Sequence, residues 1–227
     1  HPAAGLPGNR IYRVRKDIPP GNRTADVSSE IRDGEGTASQ IYDQYQKDWL
    51  EWPWQSGAPY DDKNKDGRYD PSIDIPGFKG ADQTIWTVSN DLNPGLTSNI
   101  FGAVPSGMEL QLTAWAYDRQ DGLGYMYFSK YLLINKSSAI FDSMYVTMWS
   151  DPDLGDYSDD LVGCDTTRSL GFVYNGKEVD NVYSPLPPPA VGFDFFQGPT
   201  VPGKPTDSAI FAGKWVRGKR NLPMTTF

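Results

Sequence analysis

Residues 109–135, ELQLTAWAYDRQDGLGYMYFSKYLLIN, decide the fold class of this chain. Glu109–Tyr117 alternates strictly, with Leu110, Leu112, Ala114 and Ala116 on one side, which is the period of two of an extended strand. Tyr125–Asn135 is dense in aromatic and β-branched residues, which fit a pleated surface better than a helix. Outward from this pair, Gln83–Ser89 (QTIWTVS) and Ser143–Ser150 (SMYVTMWS) read as strands of the same kind. Ser169–Tyr174, Val191–Gln197 and Ala209–Val216 follow, and Arg10–Arg15 has the pattern of an edge strand. Seven or so strands separated by Asn, Asp and Gly turns predict a mostly β fold, an antiparallel β-sandwich-like domain with long loops. One helix interrupts the pattern. Ile41, Tyr45, Trp49 and Trp52 recur at helical spacing between Thr37 and Trp52, Ser39 is the expected cap, and Pro53 ends the run. Residues 1–37, polar and poor in apolar anchors, read as an extended N-terminal arm, with 38–227 as the domain proper.

Composition narrows the function. The chain has 227 residues with 21 basic and 29 acidic side chains, a net charge of −8, and no Lys/Arg stripe. Nucleic acid and anionic membrane are therefore poor partners. No apolar run approaches the roughly 18 residues that span a bilayer, and no leader pattern opens the sequence, so any signal peptide is expected to have been removed. The acidic residues comprise 24 Asp and only 5 Glu. Aspartate competes with the helical backbone and favours turns, and clustered in loops it supplies oxygen ligands for a hard cation. The single histidine, His1, and the single cysteine, Cys164, leave no partners for a Ser-His-Asp, Cys-His or imidazole–zinc site. Cys164 stands in Asp-Asp-Leu-Val-Gly-Cys-Asp and is expected to be a small packed residue. A catalytic centre is not expected.

Eleven of the 24 aspartates fall in two segments, 61–74 and 151–165. The first reads Asp61-Asp-Lys-Asn-Lys-Asp-Gly-Arg-Tyr-Asp70. Counted from Asp62, oxygen side chains stand at positions 1, 3, 5 and 9 (Asp62, Asn64, Asp66, Asp70), with Gly67 at 6 and the Arg68 carbonyl at 7. This is the first half of an EF-hand-type calcium loop. Position 12 is Ile73 rather than Glu, and Asp74 takes its place if Pro71 redirects the chain. The flanks carry no helix pair, so the loop resembles those of dockerin and thrombospondin type 3 repeats. An Asx-rich turn without an ion is the alternative. In the second segment, Asp151, Asp153, Asp156, Asp159 and Asp160 are the pool for a second calcium ion or, equally, a solvated loop.

Trp49, Trp52 and Trp54 lie within six residues. At helical spacing they read first as core and second as a sugar-stacking platform. Pro185–Pro189 is a polyproline connector. Asn22-Arg-Thr24 and Asn135-Lys-Ser137 fit the N-linked sequon, and Asp142-Ser-Met144, Asp165-Thr-Thr167 and Asp207-Ser-Ala209 fit short O-glycosylation acceptors.

Ser150–Thr167 (SDPDLGDYSDDLVGCDTT), Leu170–Gly176 (LGFVYNG) and Pro187–Pro199 (PPAVGFDFFQGP after the first proline) carry a family resemblance. With the calcium-type loop before Asp82-Gln-Thr-Ile-Trp86, Ser89–Asn93 and Arg220–Thr225, they resemble a module of large, functionally unassigned secreted proteins. These belong to Bacteroidota, Ignavibacteria and their relatives, and often end in a type IX secretion sorting domain. The resemblance covers roughly residues 45–227. It implies secretion and a place within a longer polypeptide, and it implies no activity. The combined expectation is a calcium-stabilised, non-catalytic structural or adhesive module of an extracellular or cell-surface assembly, with a filament as one form and residues 1–37 as an exchanged arm. Its partners would be other copies or other domains, and glycans. A carbohydrate-binding module or an accessory domain of a secreted hydrolase is the alternative.

Overall fold

The computed structural model describes residues 10–211 and 213–226. The described residues divide into two compact units, with the boundary between Asp142 and Ser143, where the sequence predicts an arm and a single domain. His1 lies outside the described residues, as do the first nine residues of the expected arm.

In the first unit, a four-stranded antiparallel sheet runs in the order β1 (Tyr12–Arg15), β4 (Gln83–Asn90), β5 (Met108–Ala116), β6 (Tyr127–Asn135). Between β1 and β4 lie helices α1 (Ser28–Arg32) and α2 (Ala38–Leu50) and the two-residue ladder β2 (Tyr60–Asp61) with β3 (Ile75–Pro76). The helix expected at 37–52 forms, but its cap is Thr37 rather than Ser39. The Thr37 hydroxyl accepts from the Gln40 amide, and the Gln40 side chain accepts from the Thr37 amide, a reciprocal capping box. A further helix, α3 (Pro94–Phe101), was not expected. Asn93 caps it by accepting from Gly95 and Leu96, Pro94 stands at its first position, and Gly102 closes it at φ 65°.

The core gathers on one side of the sheet: Tyr12, Val14, Trp49, Trp52, Ala58 and Trp86 form one cluster. Register dictates which side. Tyr12 faces Trp86, and Trp86 faces Thr113, so the buried face of β5 carries Gln111 and Thr113. Leu110, Leu112, Ala114 and Ala116, the apolar set of the sequence, lie on the other face and are half-buried. The buried amide of Gln111 is satisfied by donating to Ser56 O (2.9 Å) and Glu109 Oε1 (3.1 Å). The packing partner, not the strand's own alternation, chose the inner face.

Residues 10–37 are not an extended arm. Ile18 and Val27 pack with Ile41 and Tyr45 in a second cluster, and ion pairs stitch the segment to α2. Buried Asp48 receives Arg10 (3.0 Å), the Arg13 amide (3.0 Å) and the Gln44 amide group (2.9 Å). Arg15 meets Glu30 at 2.7 Å, and the guanidinium groups of Arg13 and Arg15 lie over the Tyr45 ring.

The second unit holds a three-stranded antiparallel sheet, β7 (Asp160–Asp165), β8 (Leu170–Asn175) and β9 (Ala190–Asp194), in that order. Two further ladders pair β10 (Thr200–Pro202) with β13 (Lys219–Asn221) and β11 (Ser208–Phe211) with β12 (Lys214–Arg217). The run expected at 209–216 is therefore a hairpin rather than one strand. Cys164 is exposed, contrary to expectation. Gly163 faces Phe172 so closely that a Cβ there would lie 2.5 Å from the ring, and the residues on either side of it turn to the opposite face. Ser143–Ser150 forms no strand: Ser143 adopts φ 55°, which interrupts extended backbone at its first residue, and residues 144–150 are exposed. The outcome is a β-rich chain of several open antiparallel sheets. Among the described residues no helix is long and apolar enough to cross a membrane.

Candidate functional site

The first acidic segment connects β2 to β3 and is organised by its own side chains. Asp62 accepts from the Lys65 amide (2.6 Å) through Oδ1 and from the Gly67 amide (2.9 Å) through Oδ2. Asn64 accepts from the Asp66 amide, and Asp66 from the Arg68 amide at 2.8 Å. Each is an Asx turn, in which a short side chain replaces a backbone acceptor. Lys65 (φ 62°) and Gly67 (φ 76°) take left-handed conformations that wind the loop tightly around Asp62. At the far end the Asp74 amide donates to Asp70 O (2.8 Å), so the Pro71 turn carries Asp74 back towards the loop's start. Its carboxylate, 2% exposed, accepts from the Lys63 amide and the Asp70 amide, both at 2.8 Å. Asp74 thus closes the loop through two backbone amides, at the position where the sequence reading placed a substitute calcium ligand.

The loop's negative field reaches its neighbours. The Tyr69 phenol, donating to Trp49 O, is pushed well up by burial, then by Asp74 and Asp70. The Tyr60 phenol is raised likewise, by desolvation and then by Asp62, Asp74 and Asp66. Asp70 is held below the usual carboxylate range by the hydroxyl and amide of Ser72.

The second acidic segment is looser. Asp151 and Asp153 are exposed. Asp156 accepts from Ser158, and Asp160 accepts from the Leu154 amide at 2.9 Å. Both Asp159 oxygens are buried without a hydrogen bond, with Lys177 Nζ 3.4 Å from Oδ2. Two residues outside the expected pool belong to this cluster. Asp180, 5% exposed, accepts from the Asp156 and Val182 amides, and Lys177 supplies a counter-charge to Asp156 and Asp159. Asp180 stands alone between Val179 and Asn181, so no local spacing marks it. Backbone amides and Lys177 therefore supply part of the compensation that six crowded carboxylates need.

Comparison with protein-family models, curated proteins and solved structures finds no match. Among the described residues, no three His, Cys, Asp or Glu side chains converge as metal ligands do. In the first loop Asp62, Asn64, Asp66, Asp70 and Asp74 each accept from loop amides, and the Arg68 carbonyl is the remaining oxygen of the expected set. The tryptophans resolve as core: Trp49 and Trp52 are 5% and 2% exposed and donate to Pro71 O and Pro59 O, while Trp54 packs against Tyr60. A sugar platform on Trp49 and Trp52 is thereby removed.

Proposed function

We propose that this chain is a non-catalytic, β-sandwich-like module of an extracellular or cell-surface assembly, stabilised by calcium at the 62–74 loop. The observation that supports it most is Asp74. A carboxylate 2% exposed, with no ammonium or guanidinium partner among the ion pairs of the described residues, closes a loop of Asx turns. Burying an anion this way is costly unless it is compensated; two amides supply part of that compensation, and a divalent ion bound by Asp62, Asn64, Asp66, the Arg68 carbonyl, Asp70 and Asp74 supplies the rest. Asp62 spends two of its roughly four lone-pair sites on amides, which leaves acceptor capacity for an ion. Asp151, Asp153, Asp156, Asp159 and Asp160 remain the pool for a second ion. Secretion rests on the resemblance of residues 45–227 to the secreted bacterial module. Assembly by exchange of residues 10–37 is not part of the proposal, because these residues pack within their own unit.

The test is thermal melting with chelator, calcium or magnesium. A site held only in the native state stabilises by about 2.7 kcal/mol when free calcium is 100-fold above its Kd. Identical melting in calcium and chelator would sink the calcium reading. Light scattering across protein concentration addresses assembly, and a monomer at every concentration rules out self-assembly of the isolated chain.

A further inference from the structure

Beside the acidic loop, on the same unit, lies a cleft of opposite sign. It measures about 230 Å³ and is lined by Lys16, Asp61, Lys63, Ile75, Phe78, Lys79, Gly80 and Ala81. In a chain of net charge −8, three ammonium groups and the Asp61 carboxylate line this space, and with Asp82 beside Lys16 the local balance is 3 − 2 = +1. The carboxylate organises two of them. Asp61, whose side chain is 13% exposed, holds Lys63 Nζ on Oδ2 at 2.5 Å and Lys79 Nζ on Oδ1 at 2.9 Å. An ammonium has three donors, so each lysine keeps two after binding Asp61. Lys16 reaches the cleft from the end of β1, with Asp82 3.6 Å from its ammonium. The backbone that carries these groups is fixed. The Lys63 amide is bound by Asp74, the Lys16 amide donates to Asp82 O (2.9 Å), and the Phe78 amide donates to Thr84 Oγ1 (3.0 Å). Ile75, Phe78 and Ala81 give the cleft an apolar side, and the Phe78 ring is stacked on Trp115 at 4.0 Å.

We infer that this cleft binds a carboxylate-bearing ligand, its anion held by Lys16, Lys63 and Lys79 and its carbon body laid on Ile75, Phe78 and Ala81. A few convergent polar groups over an apolar wall are the makeup of a small-ligand site, and a concave positive patch concentrates anions that the rest of the surface repels. The carboxylate can come from an acidic sugar or from a peptide C-terminus. The inference does not depend on calcium.

The experiment titrates the full chain by NMR with sodium D-glucuronate and with N-acetylphenylalanine. Glucose and N-acetylphenylalanine amide serve as neutral counterparts. The expected result is saturable shifts with one acid and none with its neutral partner, and which acid binds identifies the source. Lys79→Gln, at an exposed position, weakens binding about two- to fivefold, the worth of one solvent-screened charge contact. Lys79→Glu abolishes it, with the dispersion of the NMR spectrum showing that the chain stays folded. Binding of neither acid, equal binding of the neutral counterpart, or unchanged affinity in both Lys79 variants would overturn the inference.

Discussion

Replacing Asp74 by asparagine tests the loop at its closure. The native carboxylate accepts two amide hydrogen bonds at 2.8 Å in a nearly waterless setting. Hydrogen bonds to a charged group contribute about 1.5–3 kcal/mol each, against about 1 kcal/mol for a neutral pair. Asparagine keeps one acceptor and turns its NH2 towards the other amide, so one bond weakens and one is lost. Relief from burying a charge offsets part of this, and the expected net loss is about 2–4 kcal/mol. For a unit of this size, 1 kcal/mol moves the melting temperature by about 3 °C, so Asp74→Asn should melt about 6–12 °C lower in chelator. Asp66→Asn, on an exposed Asx turn, should fall by less than about 1 kcal/mol in chelator. Both variants should lose most of the calcium-dependent gain, and differential scanning calorimetry in chelator and in calcium separates the two contributions. If Asp74→Asn in chelator melts within about 2 °C of wild type, the carboxylate does not hold the loop. If it keeps the full calcium shift, Asp74 is not a ligand.

Other outcomes are expected. Thr37→Ala removes the capping box of α2 and should cost about 1 kcal/mol by urea unfolding. Trp86→Ala empties a position 1% exposed, between Tyr12 and Thr113, and should cost about 3–5 kcal/mol, enough to leave much of the first unit unfolded. Glu30 has its carboxyl lowered overall: burial raises it, but Arg15 and Tyr45 outweigh that. Its contribution is therefore present above its ordinary value of 4.5 and lost as pH falls through the lower folded value, so Glu30→Gln should flatten the acid limb of the stability curve. Asp48, raised by burial despite Arg10 and Gln44, works in the opposite sense and loses stabilisation as pH rises. Brief chymotrypsin treatment should cut first within residues 138–151, which are exposed and carry no strand, and mass spectrometry should place the ends at Phe141, Tyr145 or Trp149.

The legible parts of the sequence were those where a local pattern and its environment agree. Gln83–Asn90 and Met108–Ala116 formed as strands because alternation and β-branched content are properties of the segment itself. The helix at Ala38–Leu50 formed because its apolar spacing matched a tryptophan-lined core. What was not legible depended on distant partners. Gln111 and Thr113 are buried because Trp86 and Tyr12 sit across the sheet, which no reading of β5 alone reveals. Residues 10–37 seemed too polar to fold, yet Arg10, Arg13 and Arg15 find Asp48, Glu35 and Glu30 far along the chain. Spacing marked Asp74 as a candidate ligand but not the two amides it accepts from, and Asp180 and Lys177 reach the second acidic segment only through tertiary packing.

Asp48 has a consequence that stability does not capture. β1 is the last strand on its side of the sheet, and the Arg13 amide, outside the ladder with β4, is taken by the Asp48 carboxylate from α2. A border strand with free amides is a template on which stray chains polymerise. Here a helix lays one carboxylate over that border, beneath a guanidinium that neutralises it. Removing Asp48 would do more than loosen a helix: it would uncover a growing end, and the variant should fail through precipitation before it fails through melting.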